Sequence, residues 1–195
     1  MPEARTGLDE FKDVLKDFRG LSLWAIGAGV SAPFITAFLD VIPPWPKGIA
    51  PITALVELLT LICAFQFLGS AGRRRLNRLM IISLLVAIMT GIAYLTLFIR
   101  FTFEIPTTKT IAASGFSCTA EALAVYRGVC PLASKEVLAA AQYEAPQIWQ
   151  SWSIDVVRLS LLSVWIVCFC ALSLLVGLFV IFQRRQAAPK RSRPR

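Results

Sequence analysis

The stretch IDVVRLSLLSVWIVCFCALSLLVGLFVIF, residues 154–182, carries no charged side chain from Leu159 to Phe182. A helix rises ~1.5 Å per residue, so ~20 apolar residues cross the ~30 Å hydrocarbon layer of a bilayer. The stretch exceeds that length and has no polar face, which predicts a transmembrane helix. Working outward, three more stretches read the same way: 21–42, 49–70 and 79–103. Pro33 kinks the first, a device that membrane helices tolerate. Pro51 suits the first turn of the second, where no N–H partner is needed.

Composition agrees. Of 195 residues, 56% are hydrophobic and 16% charged, and the mean hydropathy is +0.67. Soluble domains carry about 25% charged residues. The net charge of +8 does not point to nucleic acid, because the basic residues sit beside apolar segments, as orientation signals do. There is no histidine. This removes Ser-His-Asp triads, Cys-His dyads and imidazole metal ligands together. Asn77 is the single asparagine and opens no glycosylation sequon.

Residues 1–20 predict a cytoplasmic amphipathic helix. Leu8, Phe11, Leu15 and Phe18 recur at helical spacing between charged residues, and such helices lie in the headgroup layer. Residues 183–195, QRRQAAPKRSRPR, predict a basic, disordered cytoplasmic tail. Lys and Arg number fourteen in the N-terminal segment, the loop after the second span and the tail. They number four in the other two loops: Lys47, Lys109, Arg127 and Lys135. The excess of positive charge predicts that both termini are cytoplasmic. Trp24 would then mark the inner interface, and Trp45, Trp149 and Trp152 the outer one.

That orientation puts Cys118 and Cys130 outside, in the loop 104–153, where thiols oxidise. The sequence between them, TAEALAVYRGV, has helical character, and closing it predicts a structural disulfide across one helix. Two thiols without histidine make an incomplete zinc set. Four spans, inward termini and a cysteine pair in the long outer loop resemble the quinone-coupled thiol oxidases of the DsbB type, which implies a thiol–quinone oxidoreductase. That family also carries C-x-x-C in its first outer loop, and PPWPKG (residues 43–48) has no cysteine there. Cys63, Cys168 and Cys170 lie within spans, and the last two point about 200° apart on a helix. The short first and long second loops are also similar in topology to tetraspanins, without their Cys-Cys-Gly motif.

Charges inside spans are functional-site hypotheses by default. Glu57 lies about eight residues into the second span. Asp40, Arg100, Asp155 and Arg158 lie near the outer ends of the first, third and fourth spans. The structural expectation pairs Glu57 with Arg100 or Arg158. The functional one makes the five residues line a solvated cavity for an ion, a proton or an anionic headgroup. Small residues at Ala25/Gly29, Ala28/Ala32, Ser83/Ala87 with Thr90 and Gly91, and Ser173/Gly177 allow close helix approach.

In the outer loop, Ser134 followed by Val137, Leu138 and Ala141 predicts a short helix ending before Pro146. Glu121 and Glu144 read as isolated, solvated carboxylates. The expected fold is therefore an all-α integral membrane protein: four transmembrane helices, both termini inside, and a helical, disulfide-pinned outer loop between helices 3 and 4. The expected function is a non-enzymatic interaction or structural subunit of a membrane complex, with no catalytic residue, cofactor or metal. A self-associating pore or channel-type effector comes second and thiol–quinone chemistry third. Partners are the lipid bilayer and either another protein or further copies of the chain, without nucleic acid. The size, the Ala/Arg-rich bias and the missing sequon point to a bacterial inner membrane.

Overall fold

The computed structural model describes residue 36, residues 41–126 and residues 130–187, with side chains as far as 183. The expectations for 1–20, for most of the first span, for Trp24 and Asp40, and for 188–195 lie outside these residues. The chain is mostly helical, and three helices are long and apolar enough to cross a membrane. They are α1 (Ile49–Leu68), α2 (Arg73–Phe101) and α6 (Ser151–Ala187).

α1 ends where Gly69 interrupts the apolar run. The Gly69 and Ala71 amides donate to Phe65 and Leu68 carbonyls and close the turn. α2 starts earlier than expected, because Arg73, Arg74, Arg75 and Arg78 belong to the helix rather than to a loop. Arginine is a good helix former. Fully buried Leu76 anchors that first turn against Leu61, Phe65 and Leu178. Arg73 lies 5.3 Å from the centre of the Phe182 ring. At the far end α6 continues through Ala187, past the expected boundary at Phe182.

The expectation of an all-α fold with a helical outer loop is corrected between α2 and α6. α2 stops at Phe101, and an antiparallel hairpin follows: β1 (Thr102–Ile105) pairs with β2 (Thr110–Ala113), Thr102 opposite Ala113 and Ile105 opposite Thr110. Thr and Ile suit a pleated strand, and Pro106 fits the turn between them. Three short helices come next: α3 (Ala120–Val125), α4 (Lys135–Ala140) and α5 (Ala145–Ile148). Thr119 caps α3 by accepting the Ala122 amide at 3.2 Å. The short helix expected after Ser134 and before Pro146 is α4, with Ser134 at its N-cap, and Pro146 itself opens α5, in its first turn. Glu144 is not isolated, since Gln147 Nε2 donates to its Oε2 at 2.6 Å.

The chain forms two compact units. Within the described residues the first takes 50–89 and 166–187, and the second 41–49, 90–126 and 130–165. The core of the first is Leu61, Phe65, Leu76, Leu178 and Ile181. In the second, Ile148 and Trp149 are fully buried. Trp149 is thus a core residue and not the interfacial anchor expected of it, whereas Trp45 and Trp152 are exposed. The segment at Cys118 bridges to Trp149, with Thr119 N donating to Ile148 O at 3.0 Å and Gln150 N to Ser117 O at 2.8 Å. Gly115 has to be glycine here, because a Cβ would meet Trp149 Cβ at 2.7 Å and also collide with Ser153 Oγ.

Candidate functional site

Helical geometry places residues i, i+4 and i+7 on one face. On α1 those positions are Thr53, Glu57 and Thr60. Thr53 and Glu57 are fully buried, and Thr60 is half-buried, donating to the Val56 carbonyl at 2.8 Å. α6 meets this face with small and polar residues. Ser173 Oγ donates to the Glu57 backbone carbonyl at 2.8 Å, and Thr60 Oγ1 lies 3.7 Å from Cys170 Sγ. One turn on, a Cβ at Gly177 would meet Ala64 Cβ at 3.2 Å and Leu61 Cδ2 at 3.3 Å, so only the bare backbone brings α6 this close to α1. The Ser173/Gly177 pair therefore serves packing within the chain.

The result is a polar seam inside the first unit. Its carboxylate residue, Glu57, is 1% exposed, and its Oε2 has no hydrogen-bond partner among the described residues. The Ser173 bond goes to the main chain and not to the carboxylate. Ion-pairing with Arg100 or Arg158, expected from charge balance, has no counterpart among the ion pairs of the described residues. Arg100 is exposed at the end of α2. Arg158 is 3.4 Å from Asp155, three residues earlier on α6, with side chains 39% and 64% exposed. Of the five residues expected to converge, the described structure brings together Asp155 and Arg158.

The cysteines divide as their spacing implies. Cys118 and Cys130 form a disulfide with Cα atoms 6.1 Å apart. Trp149 Nε1 donates to Pro131 O at 3.1 Å, so an indole hydrogen bond holds the same stretch that the disulfide ties. Cys168 Sγ turns to the Ala87 carbonyl on α2 at 3.6 Å, and Cys170 to Thr60 on α1. The two thiols thus face different helices. The small-residue face of α2 is also used: Ser83 and Ala87 are buried. Sequence reasoning found Glu57 but not Thr53, Thr60 or Cys170 as its neighbours, though the i, i+4, i+7 polar spacing in an apolar helix was the available signal.

These features define a mostly helical membrane-type chain, with a polar seam in one unit and a disulfide in the other. Compared with protein-family models, curated proteins and solved structures, the chain matches none.

Proposed function

We propose that the chain is a non-enzymatic, multi-pass subunit of a membrane complex, with its termini in the cytoplasm of a bacterium and residues 104–153 outside. The observation that carries this reading is the surface of α2. Only 17% of its apolar window is buried within the chain. The buried edge is narrow and holds Leu76, Ser83, Ala87 and Tyr94, while Ile81, Leu85, Ile88, Met89 and Ile92 are exposed. A span that gives one thin edge to its own chain offers the rest to lipid and to neighbouring helices. A photo-crosslinking residue at Ile88 tests this in the native membrane. A discrete protein adduct from Ile88, and none from buried Ala87, is the expected result. Lipid adducts alone from Ile81, Ile88 and Met89 would sink the subunit reading, and an adduct of twice the chain mass would make the partner a second copy.

The second reading, a self-associating pore, is favoured by Glu57. A buried carboxylate in a spanning helix, whose Oε2 has no hydrogen-bond partner among the described residues, is a candidate for taking up a proton or a cation. Induced expression would then depolarise cells, and Glu57→Gln would abolish the effect. Wild-type expression without loss of membrane potential would count against it. Thiol–quinone chemistry ranks last.

A further inference from the structure

We propose that a cleft at the end of α2 binds one anionic phospholipid through its headgroup. The cleft encloses about 700 Å³ between the end of α2, the hairpin and the stretch after Cys130. Ligand pockets run from about 300 to 1,000 Å³, so the space takes a phosphate, a glycerol and the first part of the acyl chains.

Its chemistry is two-sided. Arg100, Lys109 and Lys135 stand against one carboxylate, Glu104. None of the three cations has an ion-pair partner among the described residues. Phe103, Leu132 and Leu138 supply an apolar wall. The backbone holds this shape under strain: Lys109 and Tyr143, both lining the cleft, have φ of 52° and 60°, a region that non-glycine residues rarely adopt.

The level in the bilayer fits a lipid rather than a soluble anion. From Arg78 to Arg100 α2 advances about 33 Å at 1.5 Å per residue, close to the ~30 Å hydrocarbon thickness. When Arg78 reaches one headgroup layer, Arg100 reaches the other. Ile99, which also lines the cleft, is 79% exposed on the helix just below. Acyl chains leaving the cleft along α2 would run over it. This inference rests on α2 crossing the bilayer and is independent of the subunit and pore readings.

The test uses the full chain, purified in mild detergent and delipidated, with native mass spectrometry counting bound lipid. One phosphatidylglycerol per chain is expected, retained in preference to phosphatidylcholine. Lys109→Gln and Lys135→Gln, both at exposed positions, should each weaken retention about fivefold, the effect of one basic residue near an anionic surface. Lys47→Gln removes the same charge elsewhere and should change nothing. Equal retention of the two lipids, or unchanged retention in the Lys109 and Lys135 variants, would overturn the proposal. So would displacement of phosphatidylglycerol by an equal concentration of glycerol phosphate, because the apolar wall would then play no part.

Discussion

Removing the Cys118–Cys130 bond should loosen the second unit by a calculable amount without dissolving it. The bond closes a loop with a sequence separation of 12. Loop-closure entropy for that length is about 2.1 plus 1.5R ln 12, or about 9.5 cal/mol/K, which is about 2.8 kcal/mol at 25 °C. That stabilisation acts on the unfolded chain, which the bond restrains. The native contacts do not depend on it: Trp149 Nε1 still reaches Pro131 O, and Thr119 N still reaches Ile148 O. A Cys118→Ser/Cys130→Ser double variant should therefore keep the wild-type near-UV signal. The population of opened molecules should rise about a hundredfold, since about 1.4 kcal/mol is tenfold. Hydrogen exchange reads this at the Leu123 and Tyr126 amides, which close α3 by donating to Thr119 and Ala122 carbonyls. Exchange within twofold of wild type would refute the reasoning. Complete loss of the near-UV signal would refute it from the other side, by showing that the indole clasp does not hold the native state.

Trp149→Phe keeps an aromatic ring in the core but deletes the donor to Pro131 O, and should lower stability by about 1 kcal/mol; an unchanged thermal midpoint in detergent would contradict this. Gly177→Leu forces a side chain into the gap over Ala64 and Leu61, where overpacking costs about 1–3 kcal/mol; cysteine cross-linking between α1 and α6 should drop, and wild-type yields would argue against close packing there. Glu136 is held below the ordinary carboxylate value of 4.5 by a hydrogen bond from the Ser134 hydroxyl and by the backbone at its own position. A depressed folded-state value means stabilisation that is present above about 4.5 and is lost as pH falls through the lower folded value. NMR titration should show Ser134→Ala moving the Glu136 midpoint upward, and an unmoved midpoint would remove the serine from the account.

The membrane helices were legible because apolar length is a direct physical requirement of the bilayer. The second expected span, 49–70, is α1 at Ile49–Leu68, and the fourth, 154–182, lies inside α6 at Ser151–Ala187. Their ends were less legible, because hydropathy falls at the first arginine whereas helix geometry does not. Arg73 to Arg78 are helical, since Gly72 ends the turn and Leu76 ties the next one to the core. The hairpin went unread although Thr102–Ile105 and Thr110–Ala113 carry β-branched residues on either side of a Pro-containing turn. The Ala-rich stretches that follow it drew the outer segment toward a helical reading. Trp149 was misplaced for another reason. A tryptophan beside a span reads as an interfacial anchor, whereas the bridge to Cys118 and the bond to Pro131 O go with a buried ring.

The same contrast between local and assembled interactions explains the charges. Asp155 and Arg158 meet on one turn of one helix, which needs no tertiary partner, and at 39% and 64% exposure such a pair contributes about 0.5 kcal/mol or less. The structural expectation pairs Glu57 with Arg100 or Arg158; within its own unit Arg158 lies beside Asp155, the acid one turn earlier on α6. Glu57 has no basic residue within one turn on α1, so any counter-charge has to come from another element. What α6 brings to that face is Ser173, whose hydroxyl goes to the Glu57 main chain, and Gly177, which narrows the gap further. The close approach that packs α1 against α6 thus runs along the same face as the buried carboxylate. Opening the seam with a bulky residue at 177 and neutralising it with Glu57→Gln therefore perturb one site by opposite routes. If Glu57 has a role beyond packing, the two substitutions should alter it in opposite directions, and parallel effects from both would leave it a purely structural residue.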